Sequence, residues 1–300
     1  MLKIHRPYCS LGTAALALGL ACAFATAEAA QPFPSRPIRF IVAFPPGGAN
    51  DVIARTLSVK LTEDLGQQLV VDNRGGANTI IGTDLAAKAA PDGHTILIVP
   101  GSHAINPGLY PKLPYDSLKD FAFVTLLGPG AYVLVVHPAV PAKTGELFSD
   151  TAGVKFVHVP YKGGGPGMTD LIAGRISLYF ATVAVSRPHI QAGRLRAIGV
   201  TTAKRSAAMP EVPTIAESGL PGYEVSGWYG IVAPAGTPRP VVNRLHAAFA
   251  KVLALEEVKD RLLGLGVEAA PRPGEEFRRY AEAEIAKWGK IVRALNIRAE

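Results

Sequence analysis

The sequence predicts an α/β fold organised around a parallel sheet, and three features support this prediction. Residues Ile38 to Phe44 form a near-continuous apolar run, which is typical of a parallel strand buried on both faces. The stretch Pro45–Gly48 ends this strand, and from Asp51 to Gly66 apolar residues recur every four positions on one helical face. The same order of strand, turn and helix then returns further along the chain.

Two more strands extend the predicted parallel sheet. Apolar runs at 68–72 and 95–99 flank a helical pattern at 79–90, which predicts a βαβαβ order with right-handed crossovers. In such sheets, ligands bind beyond the carboxyl ends of the strands. That edge would carry both Pro46–Asp51 and the stretch 101–103. The proline-containing residues 106–120 are predicted to form a loop.

A second α/β domain is predicted in the middle of the chain. Four apolar runs are interpreted as its strands: Tyr132–Val136, Lys155–Val159, Ile176–Ala181 and Leu195–Val200. The C-terminal part is interpreted as three helices that return to cover the first domain: 241–255, 257–265 and 275–295. We therefore expect a discontinuous first domain of residues 30–128 and 204–300, and a second domain of residues 129–203.

The N-terminus has the three parts of a secretory signal peptide. A positively charged start is followed by an apolar stretch, Leu11–Ala25, and by small residues that predict cleavage near Ala29. Residues 1–29 are therefore predicted to be removed on export to the periplasm. Both cysteines, Cys9 and Cys22, lie in this segment, so the mature protein is expected to fold without disulfides.

The charge pattern argues against nucleic acid as a partner. The chain has 31 Lys and Arg against 24 Asp and Glu, a formal net charge of +7. These basic residues are scattered, and no basic run is interleaved with aromatic residues. A mild positive balance is compatible with small anionic ligands but identifies none.

The sequence lacks the motifs expected of common enzymes. It contains no G-x-S-x-G elbow, no G-x-x-x-x-G-K-[ST] loop and no H-E-x-x-H pair. The glycine-rich stretch Gly163–Gly167 fails the dinucleotide fingerprint, because Met168 stands where the last glycine belongs. The histidines are dispersed, and none pairs with another at metal-ligand spacing. We therefore predict a protein that is not an enzyme and that holds no metal.

Two glycine turns, Pro45–Asp51 and Tyr161–Gly167, are the candidate binding elements, one in each predicted domain. Glycines let the backbone approach a ligand, and the first N–H groups of a helix lack an intrahelical acceptor. Each turn can therefore hold a carboxylate or a phosphate, and two turns that face each other would clamp one anion. Two plainer interpretations stay open. The first turn can be an ordinary βα turn with Asp51 or Asn50 as N-cap, and the second can be a flexible loop.

Several motifs together give the sequence a specific resemblance to one family. They occur in order along the chain: Phe44–Asp51, Asp72–Ala77, Ala90–Gly93, His103–Pro107, Val157–Gly163, Pro188–Ala197, Glu217–Tyr223 and Trp228–Gly230. Over nearly all of Pro34 to Glu300, the chain resembles the Bug family, the extracytoplasmic solute receptors of tripartite tricarboxylate transporters.

This resemblance implies a type II periplasmic binding protein, a two-domain Venus-flytrap fold that closes on a small carboxylate. It implies a monomer that works with the membrane permease subunits of the transporter and needs no cofactor. In the family, the first turn and a facing loop grip the ligand carboxylate, partly through water. The ligand-binding residues that the resemblance implies here are Phe44, Pro46, Gly47, Gly48, Ala49, Asn50, Asp51, Ser102, Tyr161, Lys162, Gly163, Gly164 and Gly165.

The sequence departs from the family pattern at one point in the second domain. Val140–Thr144 should lead into a helix, a strand and a turn before Gly145–Phe148, yet Thr144 is followed directly by Gly145. Roughly 30 residues, about one αβ unit, are therefore missing. The missing turn would carry the second domain's half of the carboxylate grip. A smaller departure is Ala181, where the family usually has an aspartate.

Two alternatives to a periplasmic carboxylate receptor stay open. The first is a folded remnant or interaction protein with impaired ligand binding. The second is a hydrolase or transferase on the same scaffold, against which the missing nucleophile–base pattern counts. A ligand-dependent thermal shift without turnover separates the receptor from both.

Export is expected to remove about the first 29 residues and to leave a protein without thiols, because the N-terminus has the order of a cleaved signal. The intact mass of the periplasmic form measures this. Gly19–Cys22 weakly resembles a lipoprotein cleavage box, although a branched apolar residue is wanted where Gly19 stands. A mass that includes Cys22 with an attached lipid would contradict the prediction.

Overall fold

The computed structural model describes residues 33–140, 157, 159, 161 and 164–297. The strands are β1 (Ile38–Val42), β2 (Leu69–Asn73), β3 (Thr95–Pro100), β4 (Phe121–Gly130), β5 (Tyr132–Val136), β6 (Leu178–Thr182), β7 (Arg196–Val200), β8 (Gly227–Pro234) and β9 (Arg272–Pro273). The helices are α1 (Ala49–Leu65), α2 (Ile80–Ala87), α3 (Ser102–Leu109), α4 (Gly164–Ile172), α5 (Val183–Gln191), α6 (Arg239–Leu253), α7 (Glu256–Gly264) and α8 (Gly274–Ala294).

Some sequence-based expectations fall outside this range. The predicted signal peptide and the residues on either side of the Thr144–Gly145 junction lie outside the described residues. So do Lys162 and Gly163 of the second glycine turn. Of the predicted strand 155–159, Val157 and Val159 are described, and neither belongs to a strand.

The first sheet has six strands in the order β2-β1-β3-β8-β4-β9. The β2-β1-β3 part is parallel, as the sequence predicts. Four of the five residues of β1 are buried, because helices cover both faces of the sheet. Helix α1 ends where it is predicted to end, since Gly66 adopts the left-handed conformation and its N–H bonds the Thr62 carbonyl.

Strand β8 is inserted between β3 and β4 and runs antiparallel to both. All eight of its residues are buried. Glycine is required at its centre, because a Cβ on Gly230 would lie 2.1 Å from the Phe277 ring of α8. The sequence analysis missed β4 and β8, and it also missed α3, part of which lies in the predicted loop 106–120. Helix α3 contains Pro107, whose effect on the sequence pattern hid it.

Two apolar clusters fill the two faces of the first sheet. One cluster joins β1, β3 and β8 to helices α1, α6 and α7, and its largest members include Phe40, Leu57, Leu61 and Phe249. The other joins the opposite face of the sheet to helix α8, and it includes Trp228, Phe123 and Phe277. The C-terminal helices therefore cover the first sheet, as the sequence predicts.

The second sheet has three described strands in the order β6-β5-β7, and both pairs are antiparallel. Its own core includes Val133, Val135, Met168, Leu171 and Val183. The chain leaves the first sheet at Gly130 and re-enters it at Gly227, and these two glycines are cross-strand partners. The described strands of the second sheet thus lie within one long insertion between β4 and β8.

Candidate ligand-binding site

The first glycine turn presents backbone N–H groups at the start of α1. Gly47 has a φ of +82°, a conformation that favours glycine. Gly48 is the N-cap in an extended conformation and no side chain caps the helix, so the alternative interpretation with Asp51 or Asn50 as N-cap does not hold. Among the described residues, the N–H groups of Gly48, Ala49 and Asn50 have no protein acceptor. These groups are therefore available to an anion.

The Asp51 carboxylate stabilises the conformation of this turn through hydrogen bonds. Asp51 is only 3% exposed, and it accepts hydrogen bonds from Gly47 N–H at 2.9 Å and from Arg55 Nε at 3.0 Å. Asn73, at the end of β2, donates from Nδ2 to Asp51 at 3.0 Å and to the Phe44 carbonyl at 3.1 Å. The carboxylate is therefore occupied by the protein and shapes the turn.

The balance of forces on Asp51 favours its charged form. Burial would raise the pKa of its carboxyl group, but the hydrogen bonds from Arg55, Gly47 and Asn73 outweigh burial and hold the pKa below its usual value. Arg55 forms an ion pair with Asp51 at 3.0 Å. The Arg55 charge is thus matched within the protein, and anion binding at this turn depends chiefly on backbone N–H groups.

The glycine-containing turn of residues 73–78, which follows β2, contacts both the first turn and helix α3. A Cβ on Gly75 would lie 3.0 Å from Pro45, so this turn packs directly against the first. At its other end, Asn78 donates to Asn106 Oδ1 of α3 at 2.8 Å, and Asn106 donates back to the Asn78 carbonyl at 2.9 Å. The turn of residues 73–78 therefore connects the start of α1 to helix α3.

Residues 101–103 follow β3 at the same edge of the sheet. The Ser102 hydroxyl is buried without a hydrogen-bond partner among the described residues. His103 hydrogen-bonds the Ser117 carbonyl through Nε2 at 2.9 Å, and burial lowers its pKa to about 4. His103 is therefore neutral near pH 7 and adds no positive charge to this edge.

A cavity of about 260 Å³ opens between the two sheets next to this edge. First-sheet elements and second-sheet strands both contribute to its wall: Gly101, Ile105, Tyr132, Phe180, Thr201, Tyr223, Val225, Ser226, Gly227, Glu284 and Trp288. None of these residues was among the sequence-predicted site residues. They come from elements that are remote in sequence. Two features of the sequence pointed to members of this set: the expected position of residues 101–103 at the carboxyl edge of the sheet, and Trp288 on the apolar face of the last predicted helix.

The two predicted turns are not joined by a contact in the described residues. Gly164 and Gly165 form the start of α4, and Gly165 is exposed. The Tyr161 hydroxyl donates to Asp170 of the same helix at 2.9 Å. Neither Tyr161 nor the two glycines line the 260 Å³ cavity. The structure thus brings Gly47–Asp51 and Ser102 to one sheet edge and gives no contact between them and the second turn.

Another hollow, of about 420 Å³, lies between the starts of α6 and α8. Its floor is the beginning of β4, and Phe121 there pairs with Pro234 at the far end of β8. It therefore lies at the opposite edge of the first sheet from Gly101. No predicted site residue lines it.

No cluster of three or more His, Cys, Asp or Glu side chains among the described residues is arranged to bind a metal ion. No helix in this part of the chain has the length and apolar character needed to cross a membrane.

Comparison with known proteins identifies one family. The family model described as the tripartite tricarboxylate transporter family receptor matches residues 53–146 and 144–297. A protein of Pseudomonas sp. strain P51, named for the tcbD-tcbE intergenic region, is 40% identical over 93% of this chain and 92% of its own length. BugT of Bordetella pertussis is 33% identical over 88% of this chain and 90% of its own length. The resemblance to the Bug family is confirmed.

Solved structures share the fold. A periplasmic transporter superposes with a TM-score of 0.83 at 37% identity, over 89% of this chain and 99% of that one. A Rhodopseudomonas palustris protein solved with adipate superposes with a TM-score of 0.84 at 32% identity, over 89% of this chain and 100% of that one. MatC of the same species, solved with bound malate, superposes with a TM-score of 0.79 at 29% identity, over 87% of this chain and 100% of that one. The predicted periplasmic binding protein fold is therefore confirmed.

The comparisons also locate a gap in this chain. The alignment with the Pseudomonas relative runs over 309 positions, whereas 93% of 300 residues is about 279. About 30 positions of that alignment therefore have no residue here. The family model matches in two pieces that meet at residues 144–146, which is where the sequence pattern breaks.

Replacement of Asp51 by asparagine is expected to lower the free energy of unfolding by about 1–3 kcal/mol at pH 7, because a buried, hydrogen-bonded charge is lost. Denaturant unfolding measures this. Since the folded-state pKa of Asp51 lies below the unfolded value, its contribution is complete above about pH 3.9 and is lost as the pH falls through the folded-state pKa. The difference between the two proteins should therefore persist at pH 5 and shrink below pH 4.

The control for this substitution is Glu63→Gln on the same helix. The Glu63 side chain is 62% exposed, so its neutralisation should change stability by less than about 0.5 kcal/mol. Equal effects of the two substitutions would show that Asp51 does not hold the turn.

Proposed function

Because the chain belongs to the tripartite tricarboxylate transporter receptor family, we propose that it is a periplasmic receptor that captures a small carboxylate between its two sheets for tripartite transport. The observation that supports this most directly is the row of N–H groups at Gly48, Ala49 and Asn50, which have no acceptor in the part of the chain that the structure describes. These groups point to an anion, and they lie at the sheet edge where ligands of α/β folds bind.

The neutral surroundings of this edge favour a small carboxylate. His103 is neutral, and Arg55 and Arg74 are paired with Asp51 and Asp72, so the described residues near the turn offer dipoles and matched cations. The relatives solved with adipate and malate held organic acids. We extend that ligand class, without a specific acid, to this chain. Phe44, Pro46, Ser102 and the second turn, Tyr161–Gly165, remain proposed contacts.

From the sequence, residues 30–128 and 204–300 would form the first domain and 129–203 the second. We propose to place the second boundary at Gly227 instead, because Ala208, Met209 and Ile215 pack in the clusters of the second sheet. The hinges would then lie close to the Gly130–Gly227 pair. The partners proposed are the membrane permease subunits of the transporter, to which a monomeric receptor would deliver its ligand. Export by the N-terminal signal would place the protein in the periplasm. No catalytic role is proposed.

The alternative is a folded remnant with impaired binding. It is favoured by the gap of about 30 residues near the Thr144–Gly145 junction. In the resembling family, the missing turn supplies the second domain's share of the grip. Loss of two charge-assisted hydrogen bonds would weaken binding by a factor of roughly 100 or more.

A thermal-shift screen of the mature protein against mono-, di- and tricarboxylates is expected to give a stabilising ligand without turnover. Gly48→Val should then lower its affinity at least tenfold by calorimetry, because a branched side chain obstructs the N–H groups. Gly48 has a φ of −77°, and a Cβ there would meet only the Pro45 carbonyl at 3.7 Å. The substitution is therefore compatible with the fold.

Gly264→Val provides the control, since Gly264 ends α7 and a Cβ there would meet only the Arg187 guanidinium at 3.7 Å. It should bind as the wild type does. Unchanged affinity in Gly48→Val would place the anion elsewhere, and the absence of any stabilising carboxylate would favour the remnant.

Ligand-driven closure is expected to be small. A ligand can drive closure only through its higher affinity for the closed form, and the missing turn removes contacts that would supply this difference. Small-angle scattering with and without saturating ligand should show little change in the radius of gyration. Clear compaction with tight binding would show that Tyr161–Gly167 or another loop has replaced the missing grip.

A further inference from the structure

We propose that the indole N–H of Trp228 forms a second polar subsite beside Gly101, which binds an oxygen atom of the carboxylate ligand. The inference rests on the proposed function and deepens it. It makes the preferred ligand an acid with a second oxygen-bearing group, such as a dicarboxylate.

The position of Trp228 follows from the pairing of β8 with β3. Pro100, the last residue of β3, pairs with Tyr229, so Trp228 lies just beyond the carboxyl end of β3. Its ring is held edge-to-face against Phe277 and Tyr280, with centroid distances of 5.6 and 5.9 Å. The indole is thus fixed by packing, with its Nε1 on the side of Gly101.

The indole N–H lacks an acceptor. Trp228 is 1% exposed, and its Nε1 has no hydrogen-bond partner among the described residues. A buried donor without a partner costs free energy, so buried Trp N–H groups usually find an acceptor. In this position the acceptor can be a ligand atom or a water. The Ser102 hydroxyl, one residue after Gly101, is also unpaired.

Gly101 leaves space in front of this N–H. A Cβ built on Gly101 would have Trp228 Nε1 as its nearest atom, at 3.6 Å. The backbone of Gly101 has a φ of −53° and a ψ of −25°, which any residue adopts. Glycine is therefore not needed for the conformation at this position. Gly101 lines the cavity between the sheets, whereas Trp228 does not, so a ligand atom would reach the indole N–H past Gly101.

The other tryptophan, Trp288, differs from Trp228 because its indole N–H has an acceptor within the protein. Trp288 also lines the cavity, but its Nε1 donates to Glu284 at 3.0 Å. The Glu284 carboxylate is further matched by Lys287 Nζ at 3.5 Å. Trp288 is therefore satisfied by the protein, whereas Trp228 has a free donor. An acidic end of the ligand is favoured at Trp228 and disfavoured near Glu284.

The two proposed anchors follow neighbouring strands. The start of α1 follows β1, and Gly101, next to the indole N–H, follows β3, and these strands pair directly. A diacid with one carboxylate on the α1 N–H groups would direct the other towards Gly101. Both anchors offer donors, so the second group must be an acceptor.

Nuclear magnetic resonance of the ¹⁵N-labelled mature protein tests the subsite. The chain has two tryptophans, so two indole N–H signals are expected, and Trp288→Phe assigns them. The probe is adipate or malate, whichever gives the larger thermal shift, at saturating concentration. The Trp228 signal should move downfield as its N–H gains an acceptor. If the Trp228 signal does not shift while the same probe stabilises the protein, the subsite is overturned and the indole N–H donates to water instead.

Gly101→Ala tests the space itself. The new methyl group makes only ordinary contacts, so stability should be kept while affinity for the diacid falls about tenfold or more. The monoacid of equal chain length, hexanoate or butyrate, should be affected less. Gly264→Ala is the matched control and should bind as the wild type does.

Each outcome decides between the proposals. Equal diacid affinity in Gly101→Ala and the wild type overturns the subsite but leaves the proposed receptor intact. A wild-type protein that no carboxylate stabilises overturns the proposed function, and the subsite with it. Loss of binding together with loss of stability in Gly101→Ala would show a structural role for the glycine and would also overturn the subsite.

Discussion

The pairing of β8 with both β3 and β4 is the constraint on which the rest of the structure depends. It joins the parallel half of the first sheet to its antiparallel half across a long stretch of sequence. It also fixes the buried tryptophan at the carboxyl edge and demands a glycine opposite Phe277. Because the strand is buried along its whole length, a register slip would move apolar residues to the wrong face. The candidate edge, the cavity and the cover by α8 all follow from this one pairing.

The parts of the fold that local sequence could predict are those with a clear local period. The β1–α1 unit, the parallel β2-β1-β3 core and the three C-terminal helices were predicted correctly, because burial on two faces or one leaves a readable pattern. Strands β4 and β8 were missed, since β4 contains Gly128, Pro129 and Gly130 and β8 contains Gly230. These residues weaken a local strand signal, and long-range pairing overrides it.

The candidate site was likewise predicted only where it depends on local sequence. The glycine turn before α1 was predicted from its local chemistry, although its cap was not: Gly48 caps the helix and Asp51 instead holds the turn through Gly47, Arg55 and Asn73. Such a network depends on the end of β2, which no local pattern places beside the turn. The cavity between the sheets was not predicted for the same reason, because its walls come from six separate parts of the chain. The resemblance to the Bug family predicted the ligand class, and the strand–turn–helix pattern predicted the edge of the sheet that carries the candidate site.

The glycines that close the second sheet's insertion, Gly130 and Gly227, are partners across two strands. An insertion whose two ends meet in this way can change in length with little effect on the closure of the strands that flank it. Shortening a loop of roughly 130 residues by about 30 changes its closure free energy by only about 0.2 kcal/mol. The pairing of β4 with β8 can therefore persist through a change in the length of the inserted part. The cost of such a deletion falls on the second sheet, which has its own apolar core, and on its contacts with the first-sheet helices.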